Sequence, residues 1–541
     1  MPYLTLLNIQ PRKYQQEIYN TCKDKNCLVV LPTGIGKTLI ALMLTIQRQK
    51  AFPGTKALFL APTRPLAQQH LNYFKKHLPE LFAQLELFTG KVNSEKRREL
   101  WEKADIIFST PQCVANDLKN NLYSLDEVSL LIEDECHRCL KNYAYVYVVE
   151  KYKEQSKNQR ILGLTASPGA ERKIIEQIAK NLSIETIELR TRESEDVKEY
   201  VQKLDFEVVK LDFPEEFERI RQPLENIFKK KVNELKNRKL LFMPPTKKFL
   251  LEVQSKIMSS IARGNRNFNM LAGASASAIA VKVQHALELL ETQTLYSLQS
   301  YMYELFNQAN KKLSKATQQL VKNIEFNHAF IALNEMLAKK IENPKLIELK
   351  RIVESEIKQN PKSKIIIFSQ YRDTVSRICK EMNSIDSEKI KSKVFIGQAT
   401  KTNHKGEQQE GLSQKEQQEL IQEFSRGKIN LVCSTSIGEE GLDIPEVNAV
   451  IFYEPIPSAI RTIQRRGRTA RLIKGKLIIL LVKGTRDEAY YWAAFHKEKK
   501  MHRAIQSIKD DLENGTLNLT KKENSDEDKK ESRDKQERLF E

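Results

Sequence analysis

The sequence predicts an α/β protein in which two parallel-sheet domains stand in tandem, with an all-α insert between them. Three observations support this prediction. Short apolar runs alternate with longer amphipathic stretches over residues 1–195, the same alternation returns over 343–510, and it is absent between about 215 and 340. Because strands that alternate with helices form parallel sheets covered by helices, each alternating region predicts one such domain.

The domain boundaries follow from these changes of pattern. We predict a first α/β domain at 1–200, a helical insert at 201–342 and a second α/β domain at 343–512. Residues 513–541 are mostly charged and lack apolar periodicity, so we expect a disordered tail there.

Short apolar runs bounded by polar residues predict the strands. In the first domain these runs are 27–31, 57–60, 105–109, 130–132 and 161–165, and in the second they are 364–368, 393–395, 431–434, 449–453 and 477–482. Between the two sets, Leu, Ala, Lys, Gln and Glu recur at helical spacing with few breakers, which predicts several long helices.

The composition is that of a folded chain with a polyanionic partner. Hydrophobic residues make up 40% of the 541 residues, and 89 Lys and Arg against 70 Asp and Glu give a net charge of +19. This balance favours nucleic acid as the partner, although growth at high temperature and base-composition bias also produce Lys-rich chains. No apolar run has the length of a membrane helix, no signal peptide is evident, and seven cysteines do not indicate a disulfide framework. We therefore expect a soluble intracellular protein without a membrane partner.

The strongest local signal is LPTGIGKT at 31–38, between a predicted strand and an apolar helix. A loop of this kind at a helix N-terminus presents backbone N–H groups to phosphate. We expect Lys37 to reach the β- and γ-phosphates of ATP, and the Thr38 hydroxyl to bind Mg²⁺. Leu31 replaces the first glycine of the usual pattern. The residues predicted to hold the nucleotide here are Pro32, Thr33, Gly34, Ile35, Gly36, Lys37 and Thr38.

A second candidate site is the acidic segment EDECH at 133–137, which ends the apolar run SLLI. We expect Asp134 to hold Mg²⁺ and Glu135 to accept a proton from the attacking water. The segment LTASPG at 164–169 ends another predicted strand. Thr165 and Ser167 there are candidates to hydrogen-bond the acidic strand end and to register its state.

The second domain carries the basic segment QRRGRTAR at 464–471, which in isolation is also typical of a solvated basic helix. A phosphate loop needs a cationic group from elsewhere to stabilise charge on the γ-phosphate. Arg468 and Arg471 are spaced i, i+3, so one helical face presents both. Upstream, residues 434–448 supply glycines for close backbone approach and Asp443 as a candidate ribose ligand.

Taken in order, these motifs resemble the full motif series of a superfamily 2 helicase. The series also includes RKYQ at 12–15, APTRPLAQQH at 61–70, FTG at 88–90, STP at 109–111 and IIIFSQYRDT at 365–374. The segments RESEDVKEYV at 192–201 and DEAYYWAAFHKEKKM at 487–501, with the helical insert, are similar to the helicase part of archaeal Hef and its FANCM-type eukaryotic relatives. The resemblance covers about residues 8–505 and implies a RecA-like fold for both α/β domains.

The resemblance also implies roles for individual residues. Arg12 and Gln15 would recognise adenine. Arg468 and Arg471 would act as arginine fingers, and Gln464 would contact the γ-phosphate region. The residues that would line a nucleic-acid track are Thr63, Arg64, Thr89, Gly90, Thr110 and Thr435. The residues that would couple this track to ATP hydrolysis are His137, Thr165 and Ser167.

The implied activity is that of an ATP- and Mg²⁺-dependent DNA helicase or translocase. It would remodel forked and branched DNA in replication-fork or recombination repair, with 3′ to 5′ polarity, in a prokaryotic cytoplasm. The insert's basic runs at 228–239 and 263–268 would act as a thumb that contacts branched DNA. The acidic motif and insert also resemble Dicer-type and innate-immune RNA-sensor helicases, so a double-stranded RNA translocase is the alternative. A non-hydrolysing nucleic-acid scaffold is the third hypothesis.

Two further expectations concern the end of the chain. Nothing after residue 510 matches the nuclease that full-length Hef carries, so we expect a stand-alone helicase or a truncated chain without nuclease activity. The segment QERLF at 536–540 is loosely similar to a sliding-clamp-binding box, which makes a clamp or repair protein a candidate partner.

Overall fold

Two compact units make up the part of the chain that this computed structural model describes. The described residues are 9–517, except for 80, 201–203, 386–388, 399, 400, 403–407, 410, 436–444, 459–462 and 464–474. One unit contains the described residues up to Glu199 together with those from Lys497 onward, and the other contains Tyr200–His496.

The strands of the first unit form one sheet. They are β1 (Cys27–Val30), β2 (Lys56–Leu60), β3 (Leu85–Phe88), β4 (Ile106–Ser109), β5 (Val128–Asp134), β6 (Ile161–Thr165) and β7 (Thr186–Leu189). Their order across the sheet is β3-β4-β2-β5-β6-β1-β7, and every pairing is parallel. The carboxyl ends of the strands therefore all lie at the same edge of the sheet.

Helices connect these strands. They are α1 (Lys13–Asp24), α2 (Lys37–Ala51), α3 (Arg64–His77), α4 (Ser94–Lys103), α5 (Pro111–Lys119), α6 (Ala144–Gln155), α7 (Arg172–Asn181) and α8 (Glu195–Lys198). The central strands are fully buried because helices cover both faces of a parallel sheet. The apolar runs at these strands thus form the core of the unit.

The second unit is built on another parallel sheet. Its strands are β8 (Leu204–Leu211), β9 (Ile365–Phe368), β10 (Ser392–Phe395), β13 (Leu431–Ser434), β14 (Ala449–Phe452) and β15 (Gly475–Val482). Their order is β10-β13-β9-β14-β15-β8, with parallel pairing throughout. A separate antiparallel pair consists of β11 (Lys401–Thr402) and β12 (Gln408–Gln409).

The helices of the second unit fall into an insert and a set that packs on the sheet. The insert consists of α9 (Glu218–Asn237), α10 (Lys247–Ala262), α11 (Phe268–Thr292), α12 (Leu295–Asn310), α13 (Lys315–Val321) and α14 (Ile324–Ala338). The others are α15 (Pro344–Gln359), α16 (Arg372–Asn383), α17 (Gln414–Ser425) and the start of α18 (Arg486–Glu513). Two parallel sheets with a helical bundle between them in the chain confirm the predicted fold class.

Capping residues divide the insert into its helices. Five of its helices begin after a polar residue whose side chain accepts a hydrogen bond from a backbone N–H in the first turn, as N-caps do. These residues are Thr246, Asn267, Thr294, Ser314 and Asn323. The apolar faces that follow meet in two clusters, one mainly between α9, α11, α12 and α14, and one between α9, α10 and α11.

Two segments differ from the predicted boundaries. β8 lies inside the range predicted as helical insert, but its eight residues pair in register with β15 and extend the second sheet. The boundary was misplaced because β8 is an edge strand with charged, half-exposed positions, so it lacks an apolar run. The residues of α18 from Lys497 onward belong to the first unit, although they were predicted to close the second α/β domain.

The later part of α18 packs on the first unit through both apolar and polar contacts. Met501, Ile505 and Ile508 are buried. The Ser167 hydroxyl donates to Sδ of Met501 at 2.9 Å, and Arg172 donates to the carboxylate of Asp511 at 2.6 Å. Residues far apart in sequence therefore complete the surface beside β6.

A buried ion pair joins the insert, α15, α18 and the second sheet. The ammonium of Lys345 donates to Asp487 at 2.7 Å and to the carbonyl of Thr292 at 2.6 Å, and both charged side chains are 0% exposed. Burial raises the pKa of Asp487 to about 6, although Lys345 opposes the rise. Nearby, Oε1 of Gln293 accepts hydrogen bonds from Ser369 and Thr374, so the end of α11 is also tied to β9 and α16.

In the part of the chain that the structure describes, no helix is both long and apolar enough to cross a bilayer.

Replacing Lys345 with Met is predicted to destabilise the second unit by about 3–5 kcal/mol, because it leaves the Asp487 carboxylate buried without its partner. The shift of the urea-unfolding midpoint of the full chain measures this loss. Lys358→Met, an exposed position on the same helix, is the control and should cost less than about 0.5 kcal/mol. The double variant Lys345→Met/Asp487→Leu should recover part of the loss, and a cost below about 1 kcal/mol for the single change would contradict the prediction.

The stability of the second unit is predicted to depend on pH through Glu288. Burial raises the pKa of this carboxyl, but the contacts with His285 and Lys247 outweigh burial and bring it to about 2. A folded pKa below the unfolded one gives stability that is present above pH ~4.5 and is lost as the pH falls toward 2, on the order of 3 kcal/mol in total. Glu288→Gln should therefore destabilise much more at pH 7 than at pH 3 in urea unfolding.

The exposed Glu252 of α10 provides the control, since Glu252→Gln should have a small effect at both pH values. A Glu288→Gln effect of equal size at pH 7 and pH 3 would exclude the ion pair as its cause.

Candidate nucleotide and nucleic-acid site

The loop after β1 has the backbone shape that a phosphate cradle requires. Gly34 and Gly36 have φ values of +83° and +89°, in the left-handed region that favours glycine. A Cβ at Gly36 would also lie 2.2 Å from Nε2 of Gln15, so the second glycine is required for space as well. The loop leads directly into α2, and the N–H groups at a helix N-terminus are suited to bind an anion such as phosphate.

The departure at Leu31 has a structural reason. Leu31 is buried, and its N–H donates to the carbonyl of Thr165 at 3.1 Å, which extends the pairing of β1 with β6 by one residue. Its carbonyl accepts a hydrogen bond from Nζ of Lys37 at 3.0 Å. The loop thus tolerates a side chain at this position because the side chain lies in the core, away from the cradle.

Gln15 connects α1 to the loop. Its side chain is buried, with Oε1 accepting from the N–H of Arg12 at 2.9 Å and Nε2 donating to the carbonyl of Ile35 at 3.2 Å. The Tyr14 hydroxyl donates to the same carbonyl at 2.5 Å. Arg12 and Gln15, predicted to recognise adenine, therefore lie beside the phosphate loop.

Asp134 ends β5 as a buried carboxylate with two fixed contacts. Nε2 of His70 lies 2.8 Å from its Oδ2, and the Tyr145 hydroxyl donates to its backbone carbonyl at 2.6 Å. Burial opposes ionisation of Asp134, but His70 and the charge on Lys37 outweigh it, so the pKa of Asp134 lies below its usual value. Because an ionised carboxylate only accepts hydrogen bonds, His70 is the donor.

Glu135 has a strained backbone beside the acidic strand end. Its φ is +51°, a left-handed conformation that is costly for a residue with a side chain. Its Oε2 lies 3.2 Å from Nδ1 of His137, which in turn lies 3.1 Å from the hydroxyl of Thr165. That hydroxyl also accepts from the N–H of Ser167 at 3.1 Å. The three residues predicted to couple the site therefore form one chain of contacts with Glu135.

The donor set fits a magnesium ion that is shared with a nucleotide. The predicted ligands are the Asp134 carboxylate and the Thr38 hydroxyl, both hard oxygen donors, and Mg²⁺ takes its remaining ligands from phosphates and water. Among the described residues, no cluster of three or more His, Cys, Asp or Glu side chains could hold a metal ion by itself. In the phosphate loop that precedes Thr38, the buried hydroxyl of Thr33 has no hydrogen-bond partner among the described residues.

The first unit brings the predicted track residues to the same edge of the sheet. β3, β4 and β2 are neighbours, and their registers align Phe88, Ser109 and Leu60 at their carboxyl ends. Thr63, Thr89 and Thr110 follow these three strands, beside Arg64 and Gly90. Thr63 and Thr110 are N-caps of α3 and α5 whose side chains make no capping hydrogen bond. Their hydroxyls are therefore not used in capping these helices.

A buried ion pair supports this edge. Arg97 of α4 donates to Asp117 of α5 at 2.8 Å, and the Tyr123 hydroxyl donates to the same carboxylate at 3.0 Å. Arg97 also donates to the carbonyl of Val92, in the loop that follows Thr89. The pair therefore fixes the 89–93 loop relative to α5.

The remaining predicted residues belong to the second unit. Thr435 follows β13, and its side chain is buried. Gln464, Arg468, Arg471 and Asp443 lie outside the described residues, as does the QERLF segment of the tail.

His70 is a residue of this site that the sequence did not reveal. It lies inside the motif at 61–70, but its role depends on the side of α3 that faces β5, which only the fold defines. The signal available in the sequence was a histidine on a predicted helix with apolar neighbours, and that pattern is equally typical of a core histidine. Tyr145 was missed for the same reason.

A phosphate loop and an acidic strand end on one edge of a parallel sheet are typical of proteins that bind a nucleoside triphosphate. Three family models match the chain. The "DEAD/DEAH box helicase" model matches residues 12–175, the "Helicase conserved C-terminal domain" model matches 345–473, and "Putative ATP-dependent RNA helicase, helical bundle" matches 216–341.

Among solved structures, the helicase domain of Hef from Pyrococcus furiosus is 41% identical to this chain. The match covers 91% of this chain and 99% of that domain, with a TM-score of 0.68. The chain belongs to the superfamily 2 helicase family of archaeal Hef and its FANCM-type relatives.

Curated relatives agree with this family. A "Putative ATP-dependent RNA helicase MJ1505" from Methanocaldococcus jannaschii is 37% identical over 94% of this chain, and an "ATP-dependent DNA helicase mph1" from Sclerotinia sclerotiorum is 31% identical over 92%. A "Fanconi anemia group M protein homolog" from Mus musculus is 31% identical over 92%. The matches span 62%, 41% and 26% of the lengths of these three proteins, respectively.

Lys37→Ala and Glu135→Gln are each predicted to lower the rate of ATP turnover roughly 100-fold or more, because each removes a group expected to act on the γ-phosphate or on the attacking water. Nucleic-acid affinity should be essentially unchanged, since neither residue lies among β3, β4 and β2. Steady-state phosphate release and fluorescence anisotropy measure the two quantities. Glu127→Gln, at the opposite end of β5 and exposed, is the matched control. Turnover at the parent rate in either variant would show that the site is misassigned.

Proposed function

We propose that this chain is an ATP-driven DNA translocase that remodels or unwinds forked and branched DNA. One observation carries the proposal: a phosphate loop, an acidic strand end and the three predicted track threonines Thr63, Thr89 and Thr110 follow strands at one sheet edge, in a chain that matches 99% of the Hef helicase domain. The proposal includes 3′ to 5′ polarity, Mg²⁺ as the metal and a cytoplasmic location.

The residues of the first unit perform the hydrolytic chemistry in this proposal. The loop N–H groups and the Lys37 ammonium bind the phosphates and neutralise charge that develops on the γ-phosphate. Glu135 accepts the proton of the attacking water. Bound Mg²⁺, held by Thr38 and Asp134, would supply charge neutralisation on the phosphate oxygens. Gln464, Arg468 and Arg471 would deliver further cationic and polar groups from the second domain.

A basic lobe of the insert supports contact with branched DNA. We define it as residues 228–271, which contain eleven Lys and Arg against two Glu, a net of +9 within a total of +19. Large apolar side chains are exposed between the charges, among them Phe242 and Phe268, which are 82% and 80% exposed. Phosphate backbones bind clustered positive charge, and unpaired bases stack on exposed aromatic rings. The lobe is therefore suited to a junction that presents both.

Double-stranded RNA is the second candidate substrate. The names of the Methanocaldococcus relative and of the helical-bundle family both refer to RNA helicases, which favours this alternative. Discrimination between the two polymers depends on contacts with the ribose 2′-hydroxyl. A non-hydrolysing scaffold is the third possibility.

The steady-state ATPase rate is predicted to rise strongly with forked DNA, and less with linear duplex DNA or duplex RNA of matched length at the same salt concentration. Fork stimulation is expected because the lobe and the track would bind different arms of a junction. Greater stimulation by RNA would favour the RNA helicase alternative. No ATP turnover with any polymer would contradict both helicase hypotheses and favour the non-hydrolysing scaffold. Strand displacement on substrates with 3′ or 5′ tails tests the polarity.

The basic lobe has its own matched variants. Arg263 and Arg266 are exposed, and Arg263→Ala/Arg266→Ala should reduce fork stimulation while the response to single-stranded DNA stays at the parent level. Lys339→Ala/Lys340→Ala, two exposed positions elsewhere on the insert, provides the control. An equal loss with both polymers would show that the lobe does not recognise the junction.

A further inference from the structure

His70 occupies a position between the two functional halves of the first sheet. Its helix, α3, starts at the predicted nucleic-acid track, with Thr63 as N-cap and Arg64 as first residue. Its imidazole reaches the Asp134 carboxylate on β5 at 2.8 Å, and both side chains are only 9% exposed. β5 pairs with β2, the strand that leads into α3, so the contact lies where the two halves of the sheet edge meet.

The histidine ring packs against β2 and is close to the start of α3. Its ring packs on Phe59 of β2, with 4.3 Å between ring centroids and 31° between ring planes. Phe74, one turn further along α3, packs on the same Phe59 ring. His70 is six residues beyond Arg64, or about 9 Å along the helix axis. A displacement at the start of α3 is therefore transmitted through less than two turns of helix to the imidazole.

The contact between His70 and Asp134 involves the side-chain carboxylate, whereas the backbone of Asp134 is held separately. The backbone carbonyl of Asp134 is fixed by the Tyr145 hydroxyl, whose own helix α6 packs behind β5. A movement of His70 would therefore act on the side chain of Asp134, because the backbone of this residue has its own fixed contact.

We propose that His70 is a positioning residue that couples the nucleic-acid track to the predicted Mg²⁺ ligand Asp134. Binding of a phosphate backbone at the start of α3 moves His70, and His70 turns the Asp134 carboxylate toward the geometry that hydrolysis requires. This inference rests on the proposed function, since it needs a nucleic acid on the track and a nucleotide at the loop. Coupling of this kind is reciprocal, so nucleotide must change DNA affinity by the same factor as DNA changes nucleotide affinity.

Two substitutions at His70 test whether the hydrogen bond to Asp134, and not only the loss of the imidazole ring, is responsible for the coupling. In His70→Gln the amide reaches about as far as Nε2 and preserves a donor to Asp134, whereas in His70→Asn the shorter side chain does not reach it. His77→Gln is the matched control, because His77 is a second buried histidine on α3, two turns beyond His70. The full chain is used throughout, and its thermal unfolding midpoint is recorded for each variant.

The readout is the DNA dissociation constant from fluorescence anisotropy, with and without a non-hydrolysable ATP analogue and Mg²⁺. The parent protein and His77→Gln should show a nucleotide-dependent change in DNA affinity. In His70→Asn the factor by which nucleotide changes DNA affinity should be about tenfold smaller. The DNA affinity of His70→Asn without nucleotide should stay at the parent value. His70→Gln should retain most of the change. The factor by which DNA stimulates ATPase turnover should fall in the same order.

The possible failures are distinguishable. A parent protein whose DNA affinity does not respond to nucleotide would contradict the proposed function, and with it the coupling. A responsive parent with an equally responsive His70→Asn variant would overturn the role of His70 alone. Loss of DNA affinity without nucleotide, or a lowered unfolding midpoint in both His70 variants, would indicate a merely structural histidine and would also overturn the proposal.

Discussion

The parallel direction of the strands is the constraint on which the rest of the first unit depends. Parallel strands require a crossover after each one, so all seven carboxyl ends, and the loops that follow them, lie at one edge. Strand order then divides that edge into two halves. The half formed by β5, β6 and β1 carries the acidic strand end, Thr165 and the phosphate loop, and the half formed by β3, β4 and β2 carries Thr89, Thr110 and Thr63. Adjacency of β2 and β5 brings the two halves together.

Apolar burial accounts for the sheets, but polar groups determine how the pieces are placed. A buried charge is tolerated only with a partner and further hydrogen bonds, which makes such a contact geometrically demanding. Asp134 with His70 and Arg97 with Asp117 each join elements on neighbouring strands of the first sheet. Gln15 acts in the same way without a charge, since its amide fixes α1 to the phosphate loop and leaves room only for glycine at position 36. These contacts give the edge a defined shape that nonspecific packing would not.

Part of this architecture could be predicted from the sequence. The central strands are continuous apolar runs because both of their faces are buried, and the phosphate loop and acidic motif have fixed local spacing. β3, β7 and β8 were not predicted, since as edge strands they carry residues such as Glu86, Glu188 and Glu207 and gain their stability from a neighbour far along the chain. His70 and Asp134 are 64 residues apart, and Lys345 and Asp487 are 142 apart. No local pattern specifies such pairs, because they depend on which side of a helix the fold turns inward.

Buried polar contacts also connect the helical insert to the second sheet, so the insert is part of the second unit and not a separate domain. The end of α11 makes a set of buried polar contacts with the rest of the second unit, in which Gln293 bonds to Ser369 and Thr374, and Thr292 bonds to Lys345, the partner of Asp487. Breaking any of these contacts would leave a polar or charged group buried and unpaired, which costs about 1–3 kcal/mol for a neutral group and about 3–5 kcal/mol for a charged partner. The insert and the second sheet are therefore expected to move as one body. In the proposed function, a displacement of the second sheet during the ATP cycle would then be carried to the end of α11 through these contacts.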